Sequence, residues 1–212
     1  MTKVTVRGIG APVTQQPDER RTRSIRDNRR HQWEKDRARQ PEALRRRTGA
    51  TERETGLTSQ DLVFHAAYRR VEADGDLADV FGVPPGTPLL ERTHRTRCAV
   101  ECSPLSLITS YLRHDLIAAN PALLDAANEP WPGGTQSQLH TVGIELDRIE
   151  ERLTARSPTP GETQRLRLPP GTPVIALRKI SYDVQDRVVD VTDVTLPGDR
   201  VELRFTTPLE RW

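Results

Sequence analysis

Two arginines, Arg95 and Arg97, stand two positions apart in a stretch with the composition of a β-strand, so both guanidinium groups leave the same face. Two planar forks side by side suit an oxyanion, either a carboxylate or a phosphate, and they stay charged at any physiological pH. Asp190 and Thr192 share a face of a second strand in the same way, and Ser110 adds a hydroxyl on a third. Together these groups favour recognition over reaction: cations for a ligand's acid group, a carboxylate and hydroxyls for its alcohol or amine. On the alternative reading the same residues are ladder pairs on a sheet face that meets water. The sequence has no GxSxG elbow, P-loop or GxGxxG run, so catalysis is not expected. His31, His65, His94, His114 and His140 are scattered, and Cys98 and Cys102 lie four apart with no second pair. Neither a metal nor another cofactor is expected.

The strands that carry these residues are organised by a repeated turn. PPGTP occurs at Pro84 to Pro88 and again at Pro169 to Pro173, 85 residues later. Before the first copy, Asp74 offers an N-cap to a short helix through Leu77, Val80 and Phe81. Before the second, Thr159 and Glu162 make a capping box, with Pro160 at the first helical position. In both copies the prolines end a helix, glycine supplies a permissive turn residue, and the Thr-Pro step starts a strand. Strands are predicted from Leu62, from Leu89 to Cys98, from Leu105 to Leu112, from Ile144 to Ala155, and at Val174 to Val184, Val188 to Leu196 and Val201 to Thr206, with a helix or turn near Gln138. The expectation is an α+β fold: an antiparallel sheet with short helices, in two pseudo-symmetric halves, with a ligand cleft between them.

Charge divides the chain differently. Residues 20 to 47 hold 12 Arg or Lys against 4 acids, a net of +8, while residues 48 to 212 carry a net of −6. The overall +2 is a cancellation between a basic arm, residues 1–55, and an acidic body, residues 56–212. Ile25, Trp33 and Leu44 would line one side of a helix that Pro41 interrupts, so the arm reads as a solvated, partly helical connector. No apolar run approaches the roughly 18 residues that span a bilayer. A cytoplasmic protein without membrane contact is expected.

The segment from Leu166 to Arg200, LRLPPGTPVIALRKISYDVQDRVVDVTDVTLPGDR, together with GVPPGTPLLERTHRTR and the SYL at Ser110 to Leu112, resembles the UTRA domain, the effector-sensing half of HutC-type regulators in the GntR family. The resemblance covers about residues 57 to 207 and implies a fold like that of chorismate lyase. It also implies that an effector is held by arginines of the RxR after the first turn unit, by the serine and neighbouring tyrosine of SYL, and by an acid in the last hairpin. These correspond to Arg95, Arg97, Ser110, Tyr111 and Asp190, with Thr192 beside the acid. The family usually has Glu at the last of these positions, and Asp190 draws the carboxylate back by one methylene. TVRG at Thr5 to Gly8 is similar to the end of the wing strand of a winged helix-turn-helix, which would put the DNA-reading helices before Met1 and leave the sensor and linker here.

The resemblance implies a homodimer that senses a small anionic metabolite and thereby controls transcription. Two other readings stay open: a basic-arm adaptor for nucleic acid or protein, and an enzyme like chorismate lyase. With no recognition helix in this stretch, DNA contact is expected to be weak and made through phosphates. Fluorescence anisotropy with palindromic and random duplexes across a salt series should give equal affinities that fall steeply with salt. A large preference for one operator would contradict this.

Overall fold

The computed structural model describes residues 24–47, 49–99 and 104–210; the TVRG segment and Cys102 lie outside them. In chain order the strands and helices are β1 (Ser24–Asp27), α1 (Arg30–Ala38), α2 (Glu42–Arg45), α3 (Ala50–Thr55), β2 (Leu62–Glu72), α4 (Gly75–Phe81), β3 (Pro88–Cys98), β4 (Ser106–Arg113), α5 (His114–Ile117), α6 (Gly134–His140), β5 (Leu146–Arg156), α7 (Pro160–Leu166), β6 (Val174–Asp183), β7 (Val188–Pro197) and β8 (Val201–Arg204). Six strands form one antiparallel sheet in the order β2-β3-β4-β7-β6-β5. The two halves expected from the repeat are visible in that order. Strand, helix, PPGTP, strand, strand runs once through β2, α4, β3 and β4, and again through β5, α7, β6 and β7, and the halves meet where β4 pairs with β7.

The repeated turn works in the same way in both halves. Asp74 Oδ1 accepts the Leu77 N–H at 2.9 Å to start α4, and Thr159 and Glu162 cap α7 reciprocally. Each helix stops one step earlier than the prolines suggest, on a left-handed residue: Gly82 at φ 63° and Arg167 at φ 51°. In both turns the threonine N–H then donates to the first proline's carbonyl at 3.2 Å, and Gly86 and Gly171 take positive φ between them. Glycine carries that conformation without a Cβ penalty.

The two faces of the sheet are covered differently. On one face α4 lays Leu77 and Phe81 over Leu89, Val191 and Ile180, and α7 packs Leu166 with Leu168, Val174 and Leu107. The other face takes the long segment between β4 and β5: Ile117, Leu123 and Leu139 pack on Leu90, Leu112 and Val189. At its far end Val201 and Leu203 of β8 cover Leu177 and Val194.

The arm departs from the expectation of a solvated connector. Pro41 does separate α1 from α2, but β1 pairs in parallel with β8, and α1 packs along α6. Arg26 meets Glu151 at 3.2 Å and Lys35 meets Glu145 at 3.0 Å, while Arg30 is held between Glu34 and Glu54. Arg26 and Lys35 thus face acids of the body, as opposite charges attract, while Arg30 is satisfied by acids of the arm itself and Arg29, Arg39, Arg46 and Arg47 stay exposed. Trp33 lies between the Arg37 and Arg53 guanidinium groups, 4.3 and 4.5 Å from them. Gly56, at φ 73°, ends α3.

Leu166 is fully buried under the second half's turn. Leu166→Ala should lower unfolding free energy by about 2–5 kcal/mol, the usual range for emptying a packed leucine site, and urea denaturation will measure it.

Candidate functional site

Alternation along β3 sends Leu90, Arg92, His94 and Thr96 to the face under α6, and Leu89, Glu91, Thr93, Arg95 and Arg97 to the face under α4 and α7. The strand register then carries a row of polar residues across the first of these faces. Tyr68 lies opposite Arg92, Arg92 opposite Ser110, Ser110 opposite Thr192, Thr192 opposite Lys179, and Lys179 opposite Glu151. Asp190 stands two positions from Thr192 on the same strand, opposite Ser181.

Arg92 is the centre of the row and is 1% exposed. Its Nε and Nη2 donate to Ser110 Oγ at 3.0 and 2.8 Å, Nη1 donates to Gln138 Oε1 at 2.6 Å, and Nη2 donates to Thr135 Oγ1 at 3.2 Å. All three acceptors are neutral. The nearest carboxylate is that of fully buried Asp190, 3.9 Å from Nη2, and it is already engaged. Lys179 Nζ lies 3.0 Å from Asp190, and the Ser181 and Thr192 hydroxyls donate to it at 3.0 to 3.1 Å.

A second carboxylate, Glu129, sits beyond Gln138. It accepts from Gln138 Nε2 at 2.9 Å, from the Trp131 N–H at 2.7 Å and from the Tyr68 hydroxyl, with His94 Nε2 at 3.6 Å. Burial pushes the Glu129 carboxyl up, but His94, the Tyr68 hydroxyl and the Trp131 N–H outweigh it and hold the group at about 2. Burial and the adjacent carboxylate push the Tyr68 hydroxyl upward. Trp131 of the PWPGG turn packs half-buried against the core beneath α6, as a lid would.

The six candidate residues do not converge. Ser110, Asp190 and Thr192 lie together in the buried row. Arg95 and Arg97 share a face with each other, as their spacing predicts, but it is the opposite face, and both are exposed. Tyr111 is also on that side, paired opposite Glu91 and packed near α4. Arg95 lines a shallow groove there with Thr93, Thr109, His65 and Arg165. One β-sheet cannot bring side chains of opposite parity to one ligand, and that corrects the expected constellation.

Arg92 is the residue that sequence reasoning missed. ERTHRTR carries polar side chains at both parities, so no apolar alternation says which face is buried. Superposing the two PPGTP units at their 85-residue offset sets Arg92 against Leu177 and Arg95 against Ile180, both core residues at 2% and 1% exposure, so the repeat does not separate the two arginines either.

The UTRA domain model matches residues 65–202. An uncharacterised HTH-type transcriptional regulator of Rhizobium meliloti is 30% identical over 148 residues, 69% of this chain and 57% of that protein. The chain therefore spans little more than half of that relative's length. The crystal structure of PhnF from Mycobacterium smegmatis superposes with a TM-score of 0.61 at 21% identity, covering 77% of this chain and 70% of that one. The effector domain of PhnF alone gives 0.57 at 22%, covering 71% and 91%. The matched family model and the fold identify a regulatory domain of the kind carried by GntR-family regulators. The chain belongs to the UTRA family.

Because its folded-state pKa lies below the ordinary carboxylate value of 4.5, ionised Glu129 contributes stability above about pH 4.5 that is lost as pH falls toward about 2. Glu129→Gln should remove that contribution, so the stability gap between parent and variant should narrow across this window. Urea midpoints measured at successive pH values will show it, and a gap independent of pH would contradict the assignment.

Proposed function

We propose that the chain senses a small anionic metabolite for a transcription regulator, and that the anion is bound by Arg92 with Ser110, Thr192 and the Lys179–Asp190 pair around it. One observation carries this reading: a buried guanidinium whose hydrogen bonds all go to neutral oxygens, its nearest carboxylate standing 3.9 Å away and engaged by other groups. Burying a charge is costly unless it is paired, and a well-packed apolar residue would serve stability better, as Leu177 does in the other half. A carboxylate or phosphate accepting two parallel N–H bonds would match the fork in shape and charge. Asp190 favours a hydroxyl or ammonium elsewhere on the same ligand, with the Thr192 and Ser181 hydroxyls completing its polar lining.

Recognition accounts for this arrangement better than catalysis. Ser110 Oγ is engaged by the arginine and has no histidine partner among its hydrogen bonds, and the described residues hold no cluster able to bind a metal. The relatives' names as helix-turn-helix regulators support control of DNA binding as the output. The two-fold symmetry of the operators such regulators read favours a homodimer formed through the body. No described helix is long and apolar enough to cross a membrane, and a cytoplasmic location suits a DNA-directed regulator.

A thermal-shift screen of phosphorylated sugars, amino-acid catabolites and small dicarboxylates should yield an anionic ligand, and calorimetric titration should then locate it. Arg92→Ala should weaken that ligand by roughly 2–5 kcal/mol, the cost of removing one partner of a desolvated charged contact. Arg95→Ala and Arg97→Ala, on the opposite face, should leave its affinity unchanged. The reverse pattern would move the site to the groove beside α7.

A further inference from the structure

Helix α6 has the sequence GTQSQLH, and four consecutive residues of it point to two different clients. Thr135 and Gln138 face the sheet, where both accept from Arg92 and Gln138 also donates to Glu129. Gln136 and Ser137 face the arm: Gln136 Nε2 donates to the His31 carbonyl of α1 at 2.9 Å, and the Arg45 guanidinium of α2 donates to Ser137 Oγ. Gln136, Ser137 and Gln138 are all buried, and Leu139 is the only apolar residue of the helix in the core. α6 is therefore held mostly by hydrogen bonds. Such bonds exchange for others at small net cost, whereas an interface of packed leucines would resist displacement. Its entry is permissive as well, because Gly133 at its N-cap and Gly134 at its first position take φ 94° and 68°, two successive residues in conformations that side chains resist.

We infer that α6 is a latch between the ligand site and the basic arm: an anion taking over the Arg92 N–H groups displaces Thr135 and Gln138, α6 turns about the Gly133-Gly134 joint, and Gln136 and Ser137 release α1 and α2. This rests on the reading of Arg92 as the anion contact and adds how occupancy leaves the site. The arm is the element that must carry the signal, because it is the part of the chain that docks on α6 from outside the sheet. By linkage, whatever loosens one side of α6 loosens the other. The remaining arm contacts, among them Arg26 and His31 to Glu151, Lys35 to the Leu146 carbonyl and to Glu145, and the pairing of β1 with β8, do not pass through α6. Release is therefore a reorientation of α1 about its β5 contacts and not a detachment.

Coupling can be read without any ligand, by hydrogen–deuterium exchange in the full chain. Gln138 and Thr135 make no hydrogen bond to the arm, so Gln138→Ala and the near-isosteric Thr135→Val perturb only the ligand side. Both should speed exchange in the peptide covering residues 30–38, Gln138→Ala by about threefold or more and Thr135→Val by less. Exchange in residues 188–197, which reports global opening, should stay at the parent rate. Gln136→Ala, on the arm side, should give the same signature. If Gln138→Ala and Thr135→Val leave residues 30–38 at the parent rate while Gln136→Ala raises it, α6 transmits nothing and the inference is overturned. If Gln138→Ala also raises exchange in residues 188–197, Thr135→Val alone decides. The reading of Arg92 itself stands or falls separately, on the titration of Arg92→Ala.

Discussion

A guanidinium shut away from water has to be surrounded by oxygen atoms, and the covered face of this sheet is organised around that demand. Arg92 needs acceptors on three sides, and two elements supply them: the neighbouring strand gives Ser110, and a helix that would otherwise have little reason to lie there gives Thr135 and Gln138. The chain of dependence continues outward. Gln138 is held by Glu129, and Glu129 by Tyr68, Trp131 and His94. On the other side, Asp190 is engaged by Lys179, Ser181 and Thr192, so that the nearest carboxylate is occupied and stands 3.9 Å from the arginine. A network of this kind, each member satisfied by the next, favours one arrangement.

The same constraint explains the asymmetry between the halves. Their strands, capped helices and turns repeat closely, and the apolar side of the sheet is filled in the same way by α4 and α7. Only one half places a charge at the position where the other has Leu177. Only that half carries the long insertion between β4 and β5, whose helix α6 supplies the acceptors. Repetition builds the sheet, and the departure from repetition builds the site.

The arm belongs to this picture through electrostatics. Its excess of cations looks like a nucleic-acid surface when residues are counted, yet Arg26, Arg30 and Lys35 face carboxylates within the same chain. Burial pushes the Glu34 and Glu151 carboxyls up, and the surrounding cations overcome that and hold both well ionised. Arm and body meet through opposite charges at Arg26 and Lys35, and α1 then lies along the helix that touches Arg92.

Local chemistry made much of the fold legible. Capping residues, the doubled PPGTP turn and period-two alternation act over a few residues, so the helices at Gly75–Phe81 and Pro160–Leu166 and the strands around them could be placed nearly to the residue. The halves, the antiparallel sheet and the UTRA resemblance followed from them. Ser110, Asp190 and Thr192 were named from their strands, and the register brings them onto one face of the sheet. What the sequence left undecided was parity where alternation is absent and contact where partners are distant. In ERTHRTR no local rule separates Arg92 from Arg95 and Arg97; the choice is made by register with β4 and by Gln138, 46 residues away. The docking of the arm was decided in the same way, by a parallel pairing of β1 with β8 across the length of the chain. Short-range sterics and hydrogen bonding determine elements, but the burial of a particular charge is a property of the surfaces that close over it, and those exist only once the chain has folded.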